Sequence, residues 1–365
     1  MRAILTLALA TILTAPAAAQ EGYDPGEPRW SFAIHGGAGT IERASMTAEQ
    51  EADYRAALDA ALEAGEDILR GGGSAMDAVT AAITLMEDDP KFNAGRGAVF
   101  TWDGTIEHDA ALMDGRDRSA GAVTGTSTVR HPILLAREVM RDGRHVFLSG
   151  AGAETFADGT RLERVPNAWF RTESRLRSLE RLKAEQLSAI DVDYKYGTVG
   201  AVALDLEGNM AAGTSTGGLT GKRWGRIGDA PVIGAGTYAD NRSCAVSATG
   251  AGEFFIRVGV AQEICTRLRF AWEDLLEEAE ASVPRDQLGF PEYVVHASEL
   301  WLEAGEIRAI ADDVLAEVED LGGDGGVIVV SPFGPAVFSF NTPGMYRARS
   351  TSAGMREVAI YGVDE

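Results

Sequence analysis

The sequence predicts an α+β protein in which mainly antiparallel sheets pack on one another with helices outside. Three observations carry this. Strand-like runs come first, then helices, then strands, and that order recurs in both halves of the chain. Many connections have hairpin length, which antiparallel pairs allow and parallel pairs do not. The 43 glycines suit tight turns and close backbone approach.

The chain opens "MRAILTLALATILTAPAAAQ". Arg2, the apolar run Ile4 to Leu13 and Ala17-Ala18-Ala19 before Gln20 form the pattern of a cleavable secretory signal over residues 1–19. A single domain is expected over 20–365. The apolar run is too short to span a bilayer, and no later stretch reaches about 18 uninterrupted apolar residues. A soluble, secreted or periplasmic protein is expected, with no membrane partner.

After a Gly/Pro/Glu-rich lead at 20–29, "RWSFAIHGGAG" reads as a strand running into a glycine turn. Tyr54, Leu58, Ala61, Leu62, Ile68 and Leu69 recur at helical spacing within 47–70. A second helix at 74–87 opens on Ser74 with Asp77 three residues later, a capping-box pattern. "NAGRGAVFTWDGTIEHDAALMDG" predicts two short strands about Asp103-Gly104. "GAVTGTSTV" is strand-like, "HPILLAREVMRDG" is a short helix, and 167–189 is a charged helical segment that "SAIDVDYKYG" breaks. "TVGAVALDLEGNMAAGTS" predicts a hairpin turning at Gly208-Asn209. "SCAVSATG" is a strand, and "GEFFIRVGVAQEICTRLRFAWEDLLEEAEA" is one long helix, with further helical stretches after it. "GGVIVVS", "PAVFSFN", "GMYRARS" and "EVAIYGV" close the chain as strands.

The formal charge of −22 disfavours nucleic acid as a partner. Two cysteines, Cys244 and Cys265, admit a disulfide in an exported protein or two separate buried thiols, and the sequence leaves both open. The five histidines (His35, His108, His131, His145, His296) include no H-E-x-x-H and read as packing or surface residues. No cofactor for catalysis is expected.

The densest chemistry is "GTSTGGLTGKRWGRIGD", 213–229. Arg226 and Asp229 after a hydroxyl-rich turn can grip both ends of an amino acid, guanidinium on carboxylate and carboxylate on ammonium. The plainer reading is a surface ion pair. "SATGAGEFF", 247–255, joins strand to helix through glycines whose N–H groups can hold an oxyanion. Gly213 to Gly217 also matches G-x-S-x-G, with Ser215 as nucleophile, "HGGAG" at 35–39 as oxyanion motif, and Asp229 and His296 completing a triad. Loop rather than helix follows that serine, against the pattern. A non-catalytic periplasmic protein that binds an amino acid through Arg226 and Asp229 is a further alternative.

Taken together, "GTVGAVALDLEGNMAAGTSTGG", "GKRWGRIGDAPVIGAGTYADN" and "AVSATGAGEFFIR" resemble the plant-type asparaginases, or isoaspartyl peptidases, which are N-terminal-nucleophile hydrolases. "HGGAG", "FNAGRGAVFTWDG", "DAALMDG" and "FNTPGMYR" match in order over nearly the whole mature chain. The resemblance implies a four-layer αββα sandwich made as a precursor that cuts itself between Gly197 and Thr198, giving an α chain (20–197) and a β chain (198–365). It implies Thr198 as nucleophile, Thr216 as its support and Asn93 as the residue that positions it. It implies Arg226 and Asp229 as the substrate grip, with Thr249 and Gly250 as oxyanion hole and substrate contacts. It implies a structural Na+ or K+ on the backbone carbonyls of Met86, Glu87, Asp89, Phe92, Ala94 and Arg96, and a homodimer of αβ units. The substrate would be asparagine or a β-aspartyl dipeptide. Trp224 and Ala230 depart from the family pattern beside the grip. "STGG" in place of "STNG" argues against the glycosylasparaginase branch, the alternative within the same superfamily.

The implied chemistry is physically coherent. A threonine hydroxyl is a weak nucleophile that needs a base. Cutting the chain converts the non-basic amide nitrogen of Thr198 into an amine with an ordinary pKa of about 7.7–8.0, part of it neutral near pH 7.

Overall fold

All nine residues of β1 (Ser31–Gly39) are buried, which places the strand inside a sheet covered on both faces. The computed structural model describes residues 29–185, 197–282, 302–332 and 334–362. The signal-like run 1–19 and His296 lie outside the described residues.

Two sheets form. The larger runs β12 (Arg356–Tyr361), β11 (Gly344–Thr351), β1, β5 (Val199–Leu204), β6 (Met210–Thr216), β2 (His108–Asp114), β3 (Ala120–Thr126), β4 (Phe147–Ser149). The smaller runs β10 (Val337–Phe340), β9 (Gly325–Val330), β8 (Cys244–Gly250), β7 (Thr237–Asp240). Every pairing is antiparallel except β3 with β4, so the fold is α+β with mainly antiparallel sheets.

Side-chain alternation decides what each face covers. Phe32 and Ile34 of β1, with Val199, Ala201 and Ala203 of β5, pack against α1 (Ala48–Arg70) and α2 (Ala75–Asp88) through Leu58, Leu62, Val79 and Ile83. The alternate residues Ala33, Val202, Leu204 and Ala212 meet Ala245, Ile328, Val330 and Phe338 of the smaller sheet. The other face of that sheet, Val246, Ala248, Val327 and Val329, is covered by Ile264 and Leu268 of α7 (Val260–Ser282) and by Val314 and Leu315 of α8 (Ala304–Asp320).

Several expected elements differ in detail. Ser74 caps α2 by accepting from the Asp77 N–H at 3.1 Å, but the Asp77 carboxylate bonds the Ser74 hydroxyl rather than its backbone, so the box is open. The strands about Asp103-Gly104 shrink to the single bridge Phe100↔Ile106 before β2 begins. The β5–β6 turn is not a two-residue Gly-Asn turn. The Asp205 carboxylate collects the N–H groups of Glu207 and Asn209 and closes a wider loop. The long helix after "ATG" breaks into α6 (Gly252–Val258) and α7, because Gly259 takes a left-handed φ of 72°. α3 (Pro132–Asp142) and α5 (Glu173–Ala184) lie within the stretches read as helical. β4, β7 and α4 (Gly150–Asp158) carry no strong periodic signal in the sequence. Cys244 on β8 and Cys265 on α7 form a disulfide, with Cα atoms 5.3 Å apart, and tie sheet to helix.

Candidate active site

The register of β5 with β6 runs Val199↔Ser215 and Gly200↔Thr214. One step further outward Thr198 faces Thr216, as neighbours across an antiparallel pair. Their hydroxyl oxygens lie 2.9 Å apart. Thr216 Oγ1 also accepts the Gly218 N–H at 3.0 Å. Thr198 is half-buried and Thr216 is buried.

Asn93 is a four-way fastener beside this pair. Its N–H donates to the Gly197 carbonyl at 2.8 Å, and its carbonyl accepts from Gly217 N–H at 2.9 Å. Its Nδ2 donates to the Gly218 carbonyl at 2.7 Å, and its Oδ1 accepts the Val99 N–H at 2.9 Å. A Cβ on Gly197 would lie 2.7 Å from Asn93 N and Cβ. Crowding, rather than a left-handed φ, therefore calls for glycine before Thr198.

Gly218 leads to the second cluster. A Cβ there would lie 3.5 Å from Arg226 Nη1, and a Cβ on Gly252 would lie 2.7 Å from Asp229 Oδ1 and 3.1 Å from Arg226 Nη2. Three missing side chains, at 218, 228 and 252, leave room around the guanidinium. Arg226 is not free of other bonds. Its Nε and Nη2 donate to the two Glu253 oxygens, each at 2.8 Å. Burial works against the Arg226 charge, but the Glu253 bonds outweigh it and hold its pKa up. Burial pushes the Asp229 carboxyl up to about 7, against the pull of Arg226. Asp229 Oδ2 and Thr249 Oγ1 are buried with no hydrogen-bond partner in the protein. Asp229 Oδ2, beside the guanidinium, suits a polar ligand that would satisfy it.

Thr249 and Gly250 end β8, opposite Gly326 and Gly325 of β9. Ser247, two residues earlier on the same face of β8, lies where a Cβ on Gly200 would collide with it. The facing sheets thus bring the "SATG" and "TVG" segments together.

The Ser215 reading fails on side-chain direction. Ser215 points to the opposite face of β6 from Thr214 and Thr216, and its hydroxyl donates to Glu87 Oε1 at 2.6 Å. It is fully buried there. Trp224 is 96% exposed with φ 55°, a left-handed conformation uncommon for a bulky residue. Ala230 is buried, its carbonyl 3.1 Å from Thr237 Oγ1.

The loop at 86–96 crowds backbone carbonyls against two glycines. A Cβ on Gly95 would collide with the Glu87 carbonyl, and one on Gly97 with those of Phe92 and Pro90, so a glycine-lined crowd of carbonyls is present. The carbonyls of Met86, Asp89 and Ala94 each accept one hydrogen bond, of 3.3, 3.2 and 3.1 Å, and keep a second lone pair. Neutral oxygen donors suit a hard cation such as Na+ or K+ rather than a transition metal.

Sequence reasoning missed three polar groups. His35 reaches the Thr198 carbonyl, Glu253 holds Arg226, and Glu87 holds Ser215. "HGGAG" and "GAGEFF" were visible as strings, but nothing in their spacing says which side chains meet across two sheets.

The described residues thus bring together a threonine after a crowded glycine, its hydroxyl on a second threonine, and, by way of Gly218, an arginine–aspartate pair. A family model described as asparaginase matches residues 28–289. The isoaspartyl peptidase of Escherichia coli is 43% identical over 337 residues, covering 90% of this chain and 95% of that one. A probable isoaspartyl peptidase/L-asparaginase of Arabidopsis thaliana is 36% identical over 359 residues, 91% and 99% of the two chains. The human isoaspartyl peptidase/L-asparaginase is 46% identical over 231 residues, 63% and 73%. The chain belongs to the asparaginase family, a family of hydrolases.

Proposed function

We propose that this chain is a self-processing threonine amidohydrolase that hydrolyses the side-chain amide of L-asparagine and β-aspartyl (isoaspartyl) peptide bonds, releasing L-aspartate. The names of the relatives support the substrate class. The observation that carries the mechanism is the Thr198–Thr216 hydroxyl pair directly after a glycine whose carbonyl is held by the Asn93 N–H.

In the proposed maturation Thr198 Oγ1 attacks the Gly197 carbonyl carbon, and the Asn93 N–H stabilises the developing oxyanion. The Gly197–Thr198 amide bond breaks as its nitrogen takes the proton lost by Oγ1, and water then hydrolyses the Gly197–Oγ1 ester, leaving the α chain 20–197 and the β chain 198–365. The freed amine of Thr198 then takes the hydroxyl proton as Oγ1 attacks the substrate amide. Thr216 holds Oγ1 in line. Arg226 takes the α-carboxylate, Asp229 the ammonium, and Thr249 with Gly250 the oxyanion. Ammonia or a peptide leaves, and water frees aspartate from the β-aspartyl enzyme.

A structural Na+ or K+ on the carbonyls of Met86, Glu87, Asp89, Phe92, Ala94 and Arg96 would supply fixed positive charge that steadies the loop bearing Asn93. The fold belongs in this reading to the four-layer αββα type, supported by apolar clusters between the two sheets and between each sheet and its helices. The disulfide suits an oxidising compartment and supports export through a signal at 1–19, to the periplasm or outside. A homodimer of αβ units completes the proposal.

Denaturing electrophoresis should show two fragments, each of about half the mature mass, and the second should begin Thr198-Val199-Gly200. Thr198→Ala should stay whole and inactive. An uncut chain that still hydrolyses asparagine would sink the mechanism.

A further inference from the structure

His35 is fully buried, yet it spans the two sheets. Its ring crosses β5 above Gly200, its register partner, where a Cβ would collide with His35 Nε2 and Ser247 Oγ alike. Its Nδ1 lies 3.1 Å from the Thr198 carbonyl, and its Nε2 lies 2.9 Å from Ser247 Oγ. Ser247 Oγ is 2.7 Å from Thr214 Oγ1, which is 2.7 Å from Thr237 Oγ1. All five residues but Thr198 are fully buried. The pairing of β1 with β5 stops at His35↔Gly200, so that ladder brings Thr198 no backbone donor from β1.

The direction of this chain follows from one fact. A carbonyl only accepts, so His35 Nδ1 must carry the proton. The ring is neutral, because burial lowers its pKa to about 3 despite the Thr198 carbonyl. Nε2 must then accept, and the Ser247 proton is spent on it. Thr214 must donate to Ser247, and Thr237 to Thr214. The Gly236 carbonyl, 3.0 Å from Thr214 Oγ1, is a second acceptor for that proton, but it accepts the Ala248 N–H at 2.9 Å and is not left unpaired when Thr214 turns to Ser247. Thr237, on β7, is where the chain starts: with its proton on Thr214 it donates to nothing else, and the Ala230 carbonyl 3.1 Å away takes no part.

We propose that His35 is a positioning residue: its Nδ1–H grips the carbonyl of Thr198, at the end of a one-way hydroxyl chain that starts at Thr237 on β7. The inference rests on Thr198 being the nucleophile. Once the bond before Thr198 is cut, that residue loses its covalent anchor on one side. Its carbonyl is then the handle by which the protein keeps the amine and Oγ1 turned toward Thr216 and the substrate.

Two isosteres separate the grip from mere filling of space. Asparagine at 35 places an amide N–H near the Nδ1 position, and glutamine places one near Nε2. His35→Asn should keep kcat for asparagine within about fivefold of the parent, by restoring the donor to Thr198. His35→Gln should lose about 30-fold or more in kcat with KM little changed, as for a group that acts only on the reacting geometry. Equal losses in the two folded, cleaved variants would overturn the proposal. Imidazole 15N spectra, with His35→Asn assigning the signal, provide a readout free of activity. The Nδ1–H tautomer is expected, and the Nε2–H tautomer or a charged ring at pH 7 would overturn the chain. A parent enzyme that releases no ammonia from asparagine would sink the reading of function instead, and the tautomer would then decide the hydrogen-bond chain alone.

Discussion

At the scale of single residues, the site stores cost where it binds. Asp229 is buried, lacks a partner on Oδ2, and has its pKa pushed up to about 7 by that burial. A folded pKa above the unfolded value means that the folded state holds the extra proton between roughly pH 4 and 7. Stability therefore falls as pH rises through that window. Asp229→Asn should raise Tm at pH 8 while abolishing turnover of asparagine, a trade of stability for function. In the parent, KM for asparagine should climb as pH drops below about 7, since only the carboxylate takes an ammonium. A KM flat from pH 8 to 5.5 would contradict this. Glu253 makes a different bargain. It bonds Arg226 side-on through Nε and Nη2, and the end-on edge faces the glycine-lined space beside Asp229. Glu253→Gln should raise KM roughly fivefold, the effect of about 1 kcal/mol, with kcat nearly kept. A lower KM would show instead that Glu253 competes with the substrate carboxylate.

Among elements, β8 has the most to hold. It ends in Thr249 and Gly250, carries Ser247 toward His35, and is covered by α7. The Cys244–Cys265 bridge pins its start to that helix across a sequence separation of 21. A closed loop of this size is worth about 2–4 kcal/mol in the folding balance. Replacing both cysteines by alanine should lower Tm clearly, as followed by calorimetry. An unchanged Tm would mean that packing of Val246 and Ala248 under Ile264 suffices. Elements also show where periodic patterns mislead. The run from Gly252 to Ala281 reads as one helix because its apolar spacing hardly falters, but Gly259 admits a left-handed φ that no pattern of apolar residues reports. The β5–β6 turn was legible as a turn but not as a loop wrapped on the Asp205 carboxylate, because that bonding depends on rotamers.

For the whole molecule, strand order has a consequence for a chain cut before Thr198. β5 enters the larger sheet between β1 and β6, and β6 pairs with β2. Strands from before and after the cut are therefore interleaved. The fragments of the proposed cleavage should run as one species in native gel filtration and separate only in denaturant. Fragments that part without denaturant would contradict the interleaving.

What the sequence determined by itself is the set of local strings and the order of elements. "GTVGAV", "TSTGG", "GRIGD" and "ATGAG" pointed to Thr198, Thr216, Arg226, Asp229, Thr249 and Gly250, and strand and helix patterns yielded the α+β class. These are properties of residue type and short-range spacing. Only the tertiary structure decided that the two cysteines are joined and that Ser215 turns away toward Glu87. It also decided that Glu253 occupies one edge of Arg226 and that His35 reaches Thr198. Each depends on which face of a strand meets which face of another sheet, and alternate residues go opposite ways. A glycine such as Gly200 matters because of what crosses above it, and that neighbour stands 165 positions earlier in the chain.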